Sequence, residues 1–216
     1  IESLFEVNEK YEIVSFENDI LIIDNWYKNY DDIMSVLLNT PVPKWKYIEG
    51  GKNYEDYYDC RLSLQVYFPT QKYSKNFQKQ FNLLYKYFKT NTTTINGFPY
   101  QFNYYKNNKK GIPNSLQHHP HTDCDINCII YLDKTSSGGT AIYNTNERIK
   151  IREEVNLLCD TSTFDKIIIQ SKPNRLVMFR GNRYHGGYID NHDEYLTSWR
   201  INQVTFFGET TQKEVQ

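Results

Sequence analysis

Three candidate metal ligands that lie far apart in the chain constrain the fold more than any other feature. One residue separates His121 from Asp123, and His185 follows 62 residues after Asp123. Residues two positions apart on an extended strand point to the same side, so the first two side chains can reach one ion. The fold must then return the chain so that His185 meets them. Single histidines are more often structural, and only this combination indicates a site.

The first imidazole of this set has a competitor. His119, His121, Asp123 and Asp125 share one strand parity, so His119 could take the place of His121. The His-x-Asp spacing and the tyrosine–leucine pair further along favour His121 with Asp123. The other histidines, His118, His119 and His192, are expected to be surface residues or to support the ligands.

Short apolar or alternating runs separated by turns predict a mainly β fold with flanking helices. Two amphipathic stretches, 30–39 and 73–88, predict helices, because large apolar residues recur every three or four positions. Many short strands with distant metal ligands predict a double-stranded β-helix, or jelly roll, as the core. Strands are expected at 11–16, 20–23, 61–67, 100–106, 126–132, 140–143, 167–169, 176–179 and 200–207.

The 216 residues are expected to form one domain with a sizeable core. We expect residues 1–99 to form a support layer with helices and residues 100–207 to form the jelly-roll core that carries the site. The tyrosine-rich stretch 44–60 is expected to be either a lid or a surface loop. We expect residues 144–165 to form an insertion between two strands. Residues 209–216 are expected to form a polar tail.

Composition excludes several classes of function. The formal net charge is −1, so no basic field indicates a nucleic-acid partner. No apolar run approaches the roughly 18 residues of a membrane span. The four cysteines form no Cys-x-x-Cys pair, so we expect reduced thiols and a cytoplasmic protein rather than a zinc site. No signal peptide is visible. The chain starts at Ile1 rather than at a methionine, so removal of a preceding segment stays an open alternative.

Arg200 stands 15 residues after His185, inside the strand-like run 199–207. A lone basic residue in such an apolar run needs an anionic partner, which a carboxylated co-substrate would supply. The planar guanidinium binds a carboxylate in a bidentate manner that lysine cannot match. The sequence therefore predicts that Arg200 binds an anionic partner.

Taken in order, these residues resemble the 2-oxoglutarate/Fe(II)-dependent dioxygenases, and the prolyl-hydroxylase-like branch is the closest in pattern. Two imidazoles and one carboxylate are the donor set that holds non-haem Fe(II) and leaves positions open. The resemblance covers roughly residues 100–207. It consists of His121-x-Asp123, Tyr131-Leu132-Asp133, Gly138-Gly139-Thr140, the stretch 175–179, His185 and Arg200.

The resemblance implies a catalytic Fe(II) held by His121, Asp123 and His185, with 2-oxoglutarate and O2 at the open positions and ascorbate as a reductant. It implies hydroxylation of a C–H bond in an amino acid, a peptidyl residue or a small metabolite, with release of succinate and CO2. Related halogenases carry a small residue at the position of Asp123, so the aspartate favours hydroxylation over chlorination.

The same resemblance implies that Arg200 holds the distal carboxylate of 2-oxoglutarate. The gap from His185 to Arg200 is longer than in that family, and the loop 188–198 would absorb it. Arg183 and Arg180 therefore stay as alternative anchors.

Several polar residues are candidates for the rest of the co-substrate pocket. Tyr131 stands where the family often places a phenol that donates to the same carboxylate, and Tyr104 or Tyr105 is a second candidate. Asn127 and Asn202 are further candidates, because Asn202 shares strand parity with the predicted anchor.

Two other classes of function stay open at this point. A cupin-like metalloenzyme would use Fe, Mn or Zn without 2-oxoglutarate and would have no need of Arg200. A non-catalytic jelly-roll binding domain would bind no metal tightly.

Overall fold

The structure, a computed structural model, describes residues 3–39, 46–47, 61–68, 75–107, 110–135, 137–144 and 158–210. The stretch 44–60, expected as a lid or a loop, lies outside the described residues apart from 46–47. Residues 145–157 of the expected insertion and 211–216 of the expected tail also lie outside them.

Within the described residues the chain is mainly β-strand, as predicted. The helices are α1 (Tyr30–Asn39) and α2 (Lys75–Leu83), and a π-helical segment (Leu84–Phe88) and a 3₁₀-helical turn (His192–Tyr195) accompany them. The strands are β1 (Glu12–Glu17), β2 (Ile20–Asp24), β3 (Lys46–Tyr47), β4 (Arg61–Phe68), β5 (Ile95–Asn107), β6 (Leu116–His118), β7 (Cys124–Tyr131), β8 (Gly139–Tyr143), β9 (Leu158–Asp160), β10 (Lys166–Gln170), β11 (Arg175–Arg180), β12 (His185–Tyr188) and β13 (Arg200–Thr210).

Both predicted helices are present, and each buries one apolar face. Helix α1 carries Asp31 and Asp32 in its first turn, where negative charge is favourable near the positive end of the helix dipole. Helix α2 buries Phe77 and Phe81 and runs directly into the π-helical segment. That segment ends at Lys89, which adopts a left-handed conformation with φ of 55°.

The strands form a double-stranded β-helix, which confirms the predicted jelly roll. The major sheet has the order β1-β2-β11-β7-β13-β5-β4-β3, and the minor sheet has the order β10-β8-β12. Strand β6 pairs with β9 and lies beside β12. Along the chain, β5, β7, β11 and β13 enter the major sheet, while β6, β8, β10 and β12 lie on the minor side. This alternation of antiparallel strands between two facing layers defines the fold.

The two faces of the major sheet are buried by different partners, because successive strand residues point to opposite sides. Along β7, Ile126, Cys128 and Ile130 pack on the helix side, whereas Ile129 and Tyr131 face the minor sheet. The helix-side core also contains Ile33, Leu37, Phe77, Phe81, Leu176, Met178, Ile201 and Phe207, and the core between the sheets contains Ile142, Ile169, Val177 and Phe179.

The first part of the chain contributes strands to the major sheet as well as helices to the support layer. Strands β1 and β2 extend the sheet beyond β11, and β4 extends it beyond β5. No helix among the described residues is long and apolar enough to cross a membrane.

A buried ion pair fastens β2 to β11. The Asp24 carboxylate, 4% exposed, accepts hydrogen bonds from Arg175 Nε at 2.7 Å and Lys172 Nζ at 2.6 Å. Burial alone would raise the pKa of Asp24, but its bonds to Arg175 and Lys172 lower it below the usual 3.8. The pair therefore contributes stability above pH 3.8, and that contribution is lost as the pH falls through the lowered pKa.

We expect Asp24→Asn to lower the free energy of unfolding by about 3 kcal/mol at pH 7, because it leaves a largely buried guanidinium without its counter-charge. Urea denaturation followed by circular dichroism measures the change. Glu6→Gln is the matched control: it removes the exposed Glu6–Lys28 pair and should cost less than about 1 kcal/mol. Equal costs for the two variants, or a cost for Asp24→Asn that does not begin to decrease as the pH falls below 3.8, would contradict this account.

Candidate active site

The backbones of the two distant histidines are hydrogen-bonded to each other. His121 N donates to His185 O, and His185 N donates to His121 O, both at 2.9 Å. Beside this bridge, Asp123 N donates to Gly181 O at 2.8 Å, and Gly181 N donates to Asp125 O at 3.0 Å. These bonds fasten the segment before β7 to the segment that opens β12. They bring residues that are 62 positions apart to one place.

His121, Asp123 and His185, predicted from the sequence as metal ligands, lie together. His185 Nε2 is 3.0 Å and His121 Nε2 is 3.6 Å from Asp123 Oδ2. One ligand atom from each residue lies within 4.8 Å of the others, and no other such group of His, Cys, Asp or Glu occurs among the described residues. The side chain of His185 is 4% exposed and that of His121 is 37% exposed. The cluster is therefore closed on one side and open on the other.

Both histidines present the nitrogen that suits metal binding. His121 Nδ1 lies 2.9 Å from His119 O, and His185 Nδ1 lies 2.8 Å from Arg183 O. A carbonyl oxygen only accepts, so each Nδ1 carries a proton, and in the neutral ring Nε2 then has the lone pair that a metal ion can take. His119 thus serves the cluster through its carbonyl, and its ring is absent from the ligand group. The geometry favours His121 over His119.

The charges of the cluster match a divalent cation. Burial lowers the pKa of His185, with a smaller contribution from His121, so this ring is neutral at pH 7. Burial also disfavours the charged form of His121, but its contact with Asp123 outweighs this and raises the pKa. Burial works against ionisation of Asp123, yet its close contacts with the His121 and His185 rings hold its pKa well below the usual range. Two imidazole nitrogens and one carboxylate fit Fe(II).

Asn127 lies against the ligands rather than against the predicted co-substrate pocket. Its Nδ2 donates to Asp123 Oδ2 at 2.8 Å and lies 2.9 Å from His185 Nε2. A metal that takes the lone pair of Nε2 would leave the carboxylate as the acceptor for this amide. On another side of His185, the Phe179 ring packs with its centroid 4.9 Å from the imidazole. Asn127 and Phe179 therefore fix the orientation of two ligands.

Arg200 is a buried cation on the inner face of β13. It is 4% exposed, its Nη2 donates to Gly139 O at 2.5 Å, and its guanidinium lies 5.0 Å above the Tyr105 ring. Burial disfavours its charge, but Tyr105, Tyr195 and Asp133 together raise its pKa, so it stays charged. Arg200 takes part in none of the ion pairs within 4.0 Å that the described residues form. A buried charge of this kind calls for an anionic ligand.

The two alternative arginines lie elsewhere. Arg180 donates to Phe88 O at 3.2 Å, and its Nε lies 3.7 Å from Asp19. Arg183 donates to Asn18 O at 2.8 Å. Neither side chain joins Arg200, and of these three candidate anchors Arg200 is the one that faces the inside of the jelly roll.

Of the candidate phenols Tyr131, Tyr104 and Tyr105, Tyr105 is the one whose ring contacts the Arg200 guanidinium. Tyr131 is buried, and its OH is 2.6 Å from Thr140 Oγ1; burial raises its pKa to about 12. Tyr104 points to the helix side, where its OH donates to Leu37 O at 3.3 Å. The structure therefore separates Tyr104 from the candidate pocket and places its neighbour Tyr105, which pairs with Arg200 across β5 and β13, on the inner face.

Asn202 lies on the inner face two residues after Arg200, as the strand parity predicts. It sits opposite Tyr131 on β7 and Asn103 on β5. Its Oδ1 is buried and accepts no hydrogen bond from the described residues. A buried amide oxygen in this state calls for a donor from a ligand or from water.

No protein-family model and no curated protein matches this sequence. Solved structures resemble it. A prolyl hydroxylase from Trichoplax adhaerens, in complex with a hypoxia inducible factor peptide fragment, is 11% identical with a TM-score of 0.49, over 88% of this chain and 84% of that chain. A 2OG-Fe(II) oxygenase family oxidoreductase from Burkholderia pseudomallei is 10% identical with a TM-score of 0.49, over 89% and 85%.

HygX from Streptomyces hygroscopicus, with nickel, 2-oxoglutarate and hygromycin B bound, is 11% identical with a TM-score of 0.46, over 92% of this chain and 86% of that chain. These likenesses concern the fold alone.

We expect the protein to bind Fe(II), Co(II) or Ni(II) at the cluster, and His121→Ala to weaken this binding at least about 100-fold, because it removes one of three ligands. Isothermal titration with Co(II) measures the affinity. His119→Ala is the matched control, since it removes a neighbouring ring but keeps the carbonyl that His121 uses. If the His121→Ala variant still bound Co(II) tightly and the His119→Ala variant did not, His119 rather than His121 would be the metal ligand.

Asn127→Ala is expected to weaken Co(II) binding by about 10–100-fold, because the Asp123 carboxylate loses the donor that orients it. Asn202→Ala removes the same kind of side chain from the same inner face and should leave the metal affinity unchanged. The same titration compares the two variants. An unchanged affinity in Asn127→Ala would show that the amide does not orient the ligand.

Proposed function

We propose that the protein is an Fe(II)- and 2-oxoglutarate-dependent oxygenase that hydroxylates a C–H bond of an amino acid, a peptidyl residue or a small metabolite. The observation that carries this proposal is a buried guanidinium, outside all ion pairs of the described residues, on the inner face of the jelly roll that also holds the His121–Asp123–His185 cluster. The cluster and the guanidinium together suit a ligand that chelates a metal at one end and carries a carboxylate at the other.

His121, Asp123 and His185 would hold the iron through two Nε2 atoms and one carboxylate oxygen. When bound, Fe(II) with 2-oxoglutarate activates O2: one oxygen atom enters the C–H bond as a hydroxyl group, and the other enters the succinate that forms as CO2 leaves. Ascorbate is proposed as the reductant that keeps the iron in the Fe(II) state. An ionised Asp123 supplies the charge that three neutral ligands would lack.

Arg200 would bind the distal carboxylate of 2-oxoglutarate. Its Nη2 is engaged by Gly139 O, and this bond fixes the plane of the guanidinium. Tyr105 supports the same end of the pocket through its ring, and Tyr131 supports it through Thr140 on the facing strand. Asn202, with its buried Oδ1, is proposed as a further contact to co-substrate or substrate.

The apolar residues around these groups would keep water from the reaction. Phe179 packs on His185, and Ile129 and Ile142 belong to the core between the sheets. Exclusion of water strengthens the contacts between charged groups and prevents side reactions. The substrate would approach from the side on which His121 and Asp123 are half-exposed.

A cupin-like enzyme without 2-oxoglutarate would not need a buried Arg200, and a binding domain would not need a metal-ready cluster. The two alternatives therefore differ from the proposal in measurable ways. The proposal requires that the metal-loaded protein binds 2-oxoglutarate and releases succinate from it with Fe(II), O2 and ascorbate, even without substrate.

We expect Arg200→Met to weaken 2-oxoglutarate binding to the Co(II)-loaded protein at least about 30-fold, since truncating one partner of a buried charge pair costs about 2–5 kcal/mol. Arg200→Lys should also lose affinity, because a point charge cannot reproduce the bidentate contact. Calorimetric titration gives the constants.

Arg183→Met is the control, because this arginine bonds to Asn18 O outside the pocket. Absence of 2-oxoglutarate binding and of succinate release in the wild-type protein would refute the proposed function. Equal losses in the Arg200 and Arg183 variants would refute the role of Arg200 alone.

A further inference from the structure

Gly187 lies two residues after the candidate ligand His185 on β12, so both residues face the interior. It pairs with Thr140 of β8 in a regular antiparallel ladder. Two residues of strand span about 7 Å, which is the scale of a five-carbon dicarboxylate. Gly187 therefore lies two residues from the candidate ligand His185, and a Cβ on it would lie 3.5 Å from Arg200 Nη1.

The backbone gives no reason for glycine at this position. The backbone of Gly187 does not adopt a positive φ, the conformation that favours glycine. The three atoms nearest to a Cβ placed on it are side-chain atoms, at ordinary contact distances of 3.5–3.8 Å. The adjacent Gly186 is different, because a Cβ there would lie 2.8 Å from the backbone oxygen of His118. A Cβ atom would therefore collide with the backbone at 186, whereas there is room for it at 187.

Glycine at 187 also carries a cost. In the middle of a strand, glycine is less favourable than alanine by about 0.5–1 kcal/mol, and β-branched residues fit strands better still. Neither the backbone conformation nor the backbone packing offsets this cost. A residue that lowers stability without a structural reason points to a function in the space that it leaves open.

The atoms around the missing side chain belong to the proposed pocket. A Cβ at Gly187 would lie 3.5 Å from Arg200 Nη1, 3.7 Å from His118 Cβ and 3.8 Å from Tyr105 OH. Arg200 Nη2 is already bonded to Gly139 O, so Nη1 is the nitrogen on the Gly187 side. Any side chain at 187 would occupy the approach to this nitrogen.

We propose that Gly187 is a specificity-determining residue that keeps the passage between the metal ligands and Arg200 open for the co-substrate. A larger residue at this position excludes 2-oxoglutarate in proportion to its size. The inference rests on the proposed function and adds a residue that contributes space rather than a contact.

The test compares Gly187→Ala and Gly187→Val with the wild-type protein. Overpacking by one to three carbon atoms costs about 1–3 kcal/mol, so 2-oxoglutarate binding to the Co(II)-loaded protein should weaken about 5-fold in the alanine variant and about 100-fold in the valine variant. The Co(II) affinity should be unchanged, and the melting temperature should be equal or higher. Calorimetry and thermal denaturation supply these values.

Oxalate is the matched ligand, because this two-carbon dicarboxylate can chelate a metal but is too short to reach Arg200. It should bind equally to the wild-type and Gly187→Val proteins. Gly186→Ala is the matched variant, and it should lower the melting temperature because its Cβ meets the His118 carbonyl.

Equal 2-oxoglutarate affinity in the wild-type and Gly187→Val proteins would overturn the inference. Loss of Co(II) or oxalate binding in Gly187→Val would also overturn it, because the valine would then disturb the metal centre itself. A wild-type protein that binds Co(II) but no 2-oxoglutarate would instead refute the proposed function, so the two failures are distinguishable.

Discussion

The reciprocal backbone hydrogen bonds between His121 and His185 are the interaction on which the candidate site depends. They join the chain before β7 of the major sheet to the start of β12 on the minor side. Backbone bonds of this kind do not require a metal, so the sheets themselves place the three ligands. When a cation binds to such a preformed site, none of the free energy of binding is used to order the ligand segments.

The alternation of side chains along each strand decides which residues do chemistry. On β13, Ile201 packs among the helix-side residues, while Arg200 and Asn202 point inward. On β5 the same rule sends Tyr104 to the helices and Tyr105 beneath the guanidinium. A register slip of one residue would bury the arginine against the helices, so the apolar core on that side fixes the polar site on the other.

Much of this arrangement could be predicted from the sequence, because it follows from periodicity and spacing. The helices, the strand series, the His-x-Asp pair and the lone arginine in an apolar strand are all local patterns. The choice between Tyr104 and Tyr105 is not local, since both suit a strand and only the pairing of β5 with β13 selects one. The contact of Asn127 with Asp123 likewise depends on how the chain crosses to Gly181, which no spacing reveals.

Two features that cost stability lie within one contact distance of each other. Arg200 is a buried charge outside the ion pairs of the described residues, and Gly187 is a strand glycine without a backbone reason. The buried Asp24, by contrast, is paired with Arg175 and Lys172. Because a stable protein loses unsupported features unless function retains them, their proximity argues for a ligand that uses both the charge and the space. A carboxylate that reaches inward from the metal ligands satisfies the charge and fills the space.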